Sequence, residues 1–169
     1  MNKVILLALF SIWHGIVPAQ EVRFRHLSIQ DGLSQSTINC IFQDSRGFIW
    51  IGTQDGLNRY DGYNFKIFRE NPLDSNSISH NWIWDIFEDK ENNLWIATWD
   101  GLTKYNPSTR KFTRYFPNAG DPHSIGGARP TSLCQDKDGN LWIGTWGGGL
   151  SKYIYEKDYF ETYLHNPED

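Results

Sequence analysis

NLWIGTWGGGLSKY, residues 140–153, sets two tryptophans, a threonine and the triplet Gly147-Gly148-Gly149 side by side. Such a glycine cluster belongs either to a phosphate-cradling loop or to a tight turn, and the upstream sequence decides between them. NLWIATWDGLTKY occupies 93–105 and FIWIGTQDGLNRY occupies 48–60, so one segment is written three times. The triplet stands where Asp55-Gly56 and Asp100-Gly101 stand, with one extra residue. A phosphate loop carries a lysine and opens a helix, whereas this one leads into LSKY, a strand pattern. The glycines are therefore expected to supply positive φ in a hairpin turn.

Working outward, Trp50, Trp95 and Trp142 lie 45 and 47 residues apart. Leu33-Ser34, Ile78-Ser79 and Ile125-Gly126 recur in step, as do Asp44, Asp89 and Asp136. Phe65 and Phe68, Phe112 and Tyr115, and Phe160 and Tyr163 follow at the ends of the units. A period in the mid-forties built from short aromatic segments points to propeller blades. Each unit reads as four strands. STINCIFQD (36–44) runs into the turn DSRG, matched by DKEN and DKDG. FIWIGT is an inner strand, the Asp-Gly turn follows, LNRY begins a third strand with Arg59 and Lys104 toward solvent, and NFKIF closes the unit. The expected fold is all-β: a partial propeller of about three four-stranded antiparallel blades at 31–70, 74–116 and 121–164. An orphan outer strand is expected at 22–28, and the blades form an open arc, not a closed ring. Trp50, Trp95 and Trp142 should anchor the blades, with Gly56 and Gly101 at the turns and Leu57, Leu102 and Leu150 beside them.

The first twenty residues differ in kind. MNKVILLALFSIWHGIVPAQ has a basic start, an uncharged apolar run from Val4 to Val17, then Pro-Ala-Gln, the pattern of a secretory signal peptide spanning 1–20. It predicts export to the periplasm. Of the two cysteines, Cys40 and Cys134 fall at different repeat positions and are read as small semi-buried hydrophobes, unbridged. His26, His80, His123 and His165 are scattered at spacings no zinc motif uses, so neither metal nor cofactor is expected. A net charge of −4 with interspersed signs offers no basic stripe for nucleic acid.

Specificity is sought where the repeats differ. Trp82 and Trp84 align with Thr37 and Asn39 and with Arg129 and Thr131, while Trp99 and Trp146 align with Gln54. Aromatic rings at loop ends are candidate platforms for sugar rings, so Trp82, Trp84, Trp99 and Trp146 are the candidate ligand contacts. Most acidic residues occupy repeated turns. Asp85 lies within a strand and is read as hydrogen-bonded structure.

The pattern I.QD..G.IWIGT.DGLNRYDG..F..F resembles the two-component regulator propeller repeat, nearly continuously over residues 22–168. The third copy departs at Gly147-Gly148-Gly149 and at Arg129-Pro130, which interrupts its first strand. The resemblance implies the exported sensor half of hybrid histidine-kinase sensors of Gram-negative bacteria, often those controlling polysaccharide utilisation. It further implies additional propeller blades, downstream sensor domains, a homodimer in the full-length protein and an oligosaccharide ligand. These residues hold no phospho-acceptor histidine motif or glycine-rich ATP lid, so the family's catalytic residues have no positions here. A fragment of a propeller hydrolase or lyase, or a scaffold without function alone, are the competing readings.

Overall fold

The computed structural model describes residues 24–164. The expected signal peptide and His165 lie outside them. The residues from 24 to 37 hold a single three-residue 3-10 turn, Ile29–Asp31, capped reciprocally by Ser28 and Asp31. Residues 24–28, the described part of the expected orphan strand, carry no strand, and Phe24 stands free in solvent. A strand needs a ladder partner, and no described sheet edge is paired to this segment.

Twelve strands follow in three antiparallel sheets of four. Sheet one runs β1 (Ile38–Gln43), β2 (Ile49–Thr53), β3 (Leu57–Tyr60), β4 (Phe65–Phe68), paired in chain order. Sheet two is β5 (Ile83–Glu88), β6 (Leu94–Thr98), β7 (Leu102–Asn106), β8 (Lys111–Tyr115). Sheet three is β9 (Pro130–Gln135), β10 (Leu141–Thr145), β11 (Gly149–Ile154), β12 (Tyr159–Tyr163). None is closed on itself. Pro130 opens β9 as its first residue instead of interrupting it, a place where a missing N–H costs the ladder nothing.

The sheets stack face to face. β5 packs against β1 and β2, and β9 packs against β5 and β6, so the first strands of all three sheets adjoin. Between sheets one and two lie Trp50, Leu57, Ile78, Ile83, Ile86, Leu94 and Ile96. Between sheets two and three lie Trp95, Ala97, Leu102, Ile125, Leu133, Leu141 and Ile143. Trp50 and Trp95 are wholly buried. An indole of about 200 Å² at about 25 cal/mol per Å² sets an upper bound of roughly 5 kcal/mol for each. The two end faces lack a neighbour among the described residues. Ile41 is 63% exposed where its counterpart Ile86 is 4%, and Leu150 is 42% exposed where Leu57 and Leu102 are sealed. Leu150 therefore does not anchor a packed interface as its counterparts do, and Trp142 is only half-buried.

Asp44, Asp89 and Asp136 do more than make turns. Oδ1 of each accepts two main-chain N–H groups of the following hairpin: Arg46 and Phe48, Glu91 and Asn93, Asp138 and Asn140. Oδ2 of each accepts the indole N–H of Trp50 (2.9 Å), Trp95 (2.7 Å) or Trp142 (2.8 Å). One carboxylate thus closes the turn and pins the anchor. Burial works against the ionised Asp44, yet donation from Trp50, Arg46 and Phe48 holds its pKa below the usual range. The Trp142 indole, then the Asn140 amide, do the same for Asp136.

The third copy's glycines have a second reason. Gly147 and Gly149 take φ of 76° and 75°, as a hairpin turn demands. Gly148 is buried, and a Cβ there would collide with the Gly126 carbonyl and lie 2.6 Å from Gly127 Cα. In the first two sheets this space is filled by Ser34 and Ser79, whose hydroxyls bond Thr53 and Thr98 at 2.8 and 2.9 Å. Sheet three puts Gly126 there and fills the gap with the inserted glycine.

Candidate functional site

In each sheet the register of the first strand slips at one place, leaving Asn39, Trp84 or Thr131 without a partner across the ladder. Such a bulge turns the strand and re-aims the side chain it carries. The repeat therefore builds the same bulge three times and varies what it presents. The β2–β3, β6–β7 and β10–β11 turns reach the same end of the sheets as these bulges. Gly56 N–H donates to the Asn81 carbonyl and Gly101 N–H to Ala128, tying each turn to the loop leading into the next sheet.

At this end the second sheet gathers its tryptophans. Trp82 and Trp84 have ring centroids 5.7 Å apart, and Trp99 lies 5.5 Å from the first and 6.0 Å from the second. Trp99 N–H donates to the Trp82 carbonyl at 2.9 Å, and the Trp82 N–H is received by His80 Nδ1 at 3.0 Å. The indole N–H groups of Trp82 and Trp84 are buried without a partner among the described residues. Each such donor costs about 1–3 kcal/mol, so the scaffold does not gain by these polar edges. Three of the four candidate tryptophans thus form one cluster. Trp146 stands apart from it, 73% exposed at the β10–β11 turn.

Arg129 joins the two parts. Its guanidinium lies over the Trp99 ring at 4.3 Å, while its carbonyl accepts the Trp146 N–H at 2.8 Å. The residue is exposed and was not among the sequence candidates, although its register position, the same as Trp82, was a usable pointer. Asp85 is held as structure: its carboxylate accepts Leu133 N–H at 2.8 Å across the sheet interface and Ile86 N–H at 2.9 Å. Burial raises its pKa against those bonds.

Elsewhere two expectations need correction. Lys104 does not face solvent. Its ammonium donates to the Tyr153 hydroxyl (2.9 Å) and Asp158 (3.1 Å) and lies near the rings of Trp95, Tyr115 and Tyr153. Burial opposes the Asp158 charge, but the Tyr115 and Tyr153 hydroxyls and Lys104 hold its pKa below the usual range. Arg59 likewise lies over the Phe48 ring at 4.5 Å. The interblade surface, aromatic on both sides, recruits these cations through their long stems. The second correction concerns Cys134, which is exposed. Cys40 is free and tucked beneath Gly52, where burial pushes its thiol up to about 12.

Sheets of four strands packed face to face, with first strands adjoining and a repeat of mid-forties length, define β-propeller blades. More particularly, the two component regulator propeller family matches residues 32–55, 77–100 and 124–147, so the chain carries that repeat in three places. A histidine kinase P4 of Formosa agariphila is 55% identical over 56 residues, which is 33% of this chain and 4% of that relative. A crystal structure described as the extracellular domain of a hybrid two component system from B. thetaiotaomicron is 30% identical, with a TM-score of 0.76. That match covers 82% of this chain and 20% of the other. A streptogramin B lyase shares the fold at 16% identity and a TM-score of 0.57, over 80% of this chain and 43% of its own. The chain thus spans 4% of the Formosa agariphila relative and 20% of the B. thetaiotaomicron domain. Among the described residues no helix is long and apolar enough to cross a membrane.

Proposed function

We propose that the chain is the ligand-sensing propeller segment of an exported, periplasmic two-component sensor, and that it binds an oligosaccharide without catalysing its cleavage. The observation that carries the reading is the Trp82–Trp84–Trp99 cluster with exposed Trp146 at the turn end of the blades. The repeat does not require it, because sheet one folds with Thr37, Asn39 and Gln54 in those places. Indole faces suit the apolar faces of sugar rings, and loop ends on a rigid scaffold are where binding residues collect. The likeness to an extracellular domain of a hybrid two component system supports export and a signalling role. The uncovered faces carrying Ile41 and Leu150 support further blades packed on either side, and through them downstream domains and a homodimeric sensor.

The test is a glycan screen of the full chain by tryptophan fluorescence, followed by titration. At least one oligosaccharide class should bind, with saturable quenching that Trp146→Ala weakens. A screen spanning neutral and charged glycans in which nothing binds would overturn the reading, and turnover of a bound glycan would overturn its non-catalytic part.

A further inference from the structure

Resting on that oligosaccharide reading, we infer that the ligand is acidic, a carboxylate-bearing glycan, and that Arg129 is the residue that reads its charge. Arg129 is exposed, and its guanidinium makes no hydrogen bond and no ion pair among the described residues. Its guanidinium lies over the Trp99 ring at 4.3 Å. Contact through the flat face leaves the in-plane N–H groups unspent, a rigid fork that matches a carboxylate with two parallel bonds. The fork is also held in place: the Trp99 ring steadies the guanidinium, and the Trp146 N–H fixes the Arg129 carbonyl at 2.8 Å. Ordering a long side chain in advance removes much of the cost of ordering it on binding.

The Arg129 fork is an exposed cationic donor paired with no carboxylate among the described residues, not even that of neighbouring exposed Asp100, and the strand carboxylate Asp85 is consumed by Leu133 and Ile86. A free guanidinium fork beside aromatic faces suits a sugar ring that carries a carboxylate. The chain as a whole is net −4, so attraction of an acid is a local property of this rim. Thr37 and Trp82 hold the same register position in the other sheets, and only the third carries a cation there.

The experiment titrates the full chain with trigalacturonate and a hyaluronan tetrasaccharide, each beside its fully methyl-esterified, uncharged form. One acid should bind about tenfold or more tighter than its ester, the margin of a charge-assisted hydrogen bond, and the margin should shrink with added salt. Arg129→Gln should bring the acid to the level of the ester, with an unchanged near-ultraviolet circular dichroism spectrum. Arg129→Lys should keep part of the preference, and Trp146→Ala should weaken acid and ester alike. Equal affinity for acid and ester, or a preference that survives Arg129→Gln, overturns the inference and leaves the oligosaccharide reading standing. Binding only of neutral glycans in the wider screen does the same, whereas no binding of any glycan overturns both.

Discussion

Asp89→Ala is the sharpest test of how a blade is held together. The carboxylate accepts the Trp95 indole N–H at 2.7 Å, the Asn93 N–H at 2.9 Å and the Glu91 N–H at 2.9 Å. Glu91 is exposed, so water replaces its bond at little cost. Trp95 and Asn93 are buried, at 0% and 6% exposure, and no water reaches them cheaply. Leaving a buried donor unsatisfied costs about 1–3 kcal/mol, so two of them predict a loss of about 4 kcal/mol. Asp61 is the internal comparison. Its Oδ1 accepts Tyr63 and Asn64 N–H in the same style of turn, but in full solvent and with no tryptophan attached. Asp61→Ala should therefore lose far less.

The assay is urea unfolding of the full chain followed by far-ultraviolet circular dichroism and tryptophan fluorescence together, since stacked repeats can melt in steps. Trp95→Phe in the Asp89→Ala background sharpens it, because the second loss should shrink when the orphaned indole N–H is already gone. Losses for Asp89→Ala as small as those for Asp61→Ala would refute the reasoning. The anchor would then be held by apolar burial alone, and the fixed spacing of aspartate and tryptophan would be only a matter of turn geometry.

Trp95→Ala should cost about 3–5 kcal/mol, since the ring is sealed between two sheets. Trp99→Ala, which removes two ring pairs and one cation contact from a half-buried site, should cost about 2 kcal/mol; equal losses in denaturant melts would contradict the blade assignment. Gly148→Ala should cost about 2–3 kcal/mol because backbone must move to admit the methyl group. Gly147→Ala meets open space and should cost about 1 kcal/mol for its left-handed φ; thermal melts giving the reverse order would show that the turn dihedral, not close approach, explains the triplet.

The framework was legible because every level of the sequence repeats the same statement. The Trp-Ile-Gly/Ala-Thr run sits second in each sheet, and in the first two it is buried on both faces as its apolar continuity requires, while the third, on the uncovered end, is only partly sealed. The Asp-Gly turns, the strand order and the sealed Trp50 and Trp95 follow from local chemistry. What escaped notice was set by contacts between repeats. Lys104 reads as a solvent residue on an alternating strand, and only the arrival of Tyr153 and Asp158 from the next sheet turns it inward. The residues at 24–28 mimic an outer strand in composition, but composition supplies no partner. The bulge at Asn39, Trp84 and Thr131 falls inside strand-forming runs with no glycine to announce it.

On the proposed reading, that bulge is the step by which the fold becomes a site. A repeat protein that must recognise something needs positions that change while its interfaces stay constant. The pins from Asp44, Asp89 and Asp136 hold the same turn in each unit, and in the first two the Ser34–Thr53 and Ser79–Thr98 hydroxyl pairs add to them. Three positions are free of those constraints: the leading loop (Thr37, Trp82, Arg129), the bulge (Asn39, Trp84, Thr131) and the turn after the second strand (Gln54, Trp99, Trp146). They come together at one end of the sheets, and across them the side chains run from small and polar to aromatic to cationic. Trp99 of one sheet meets Arg129 of the next, so the composition of the rim is read jointly by neighbouring blades. On that reading, a change of ligand would be made by substitutions at these nine positions and none in the core, and it is there that the second and third sheets diverge while their strands keep the same register.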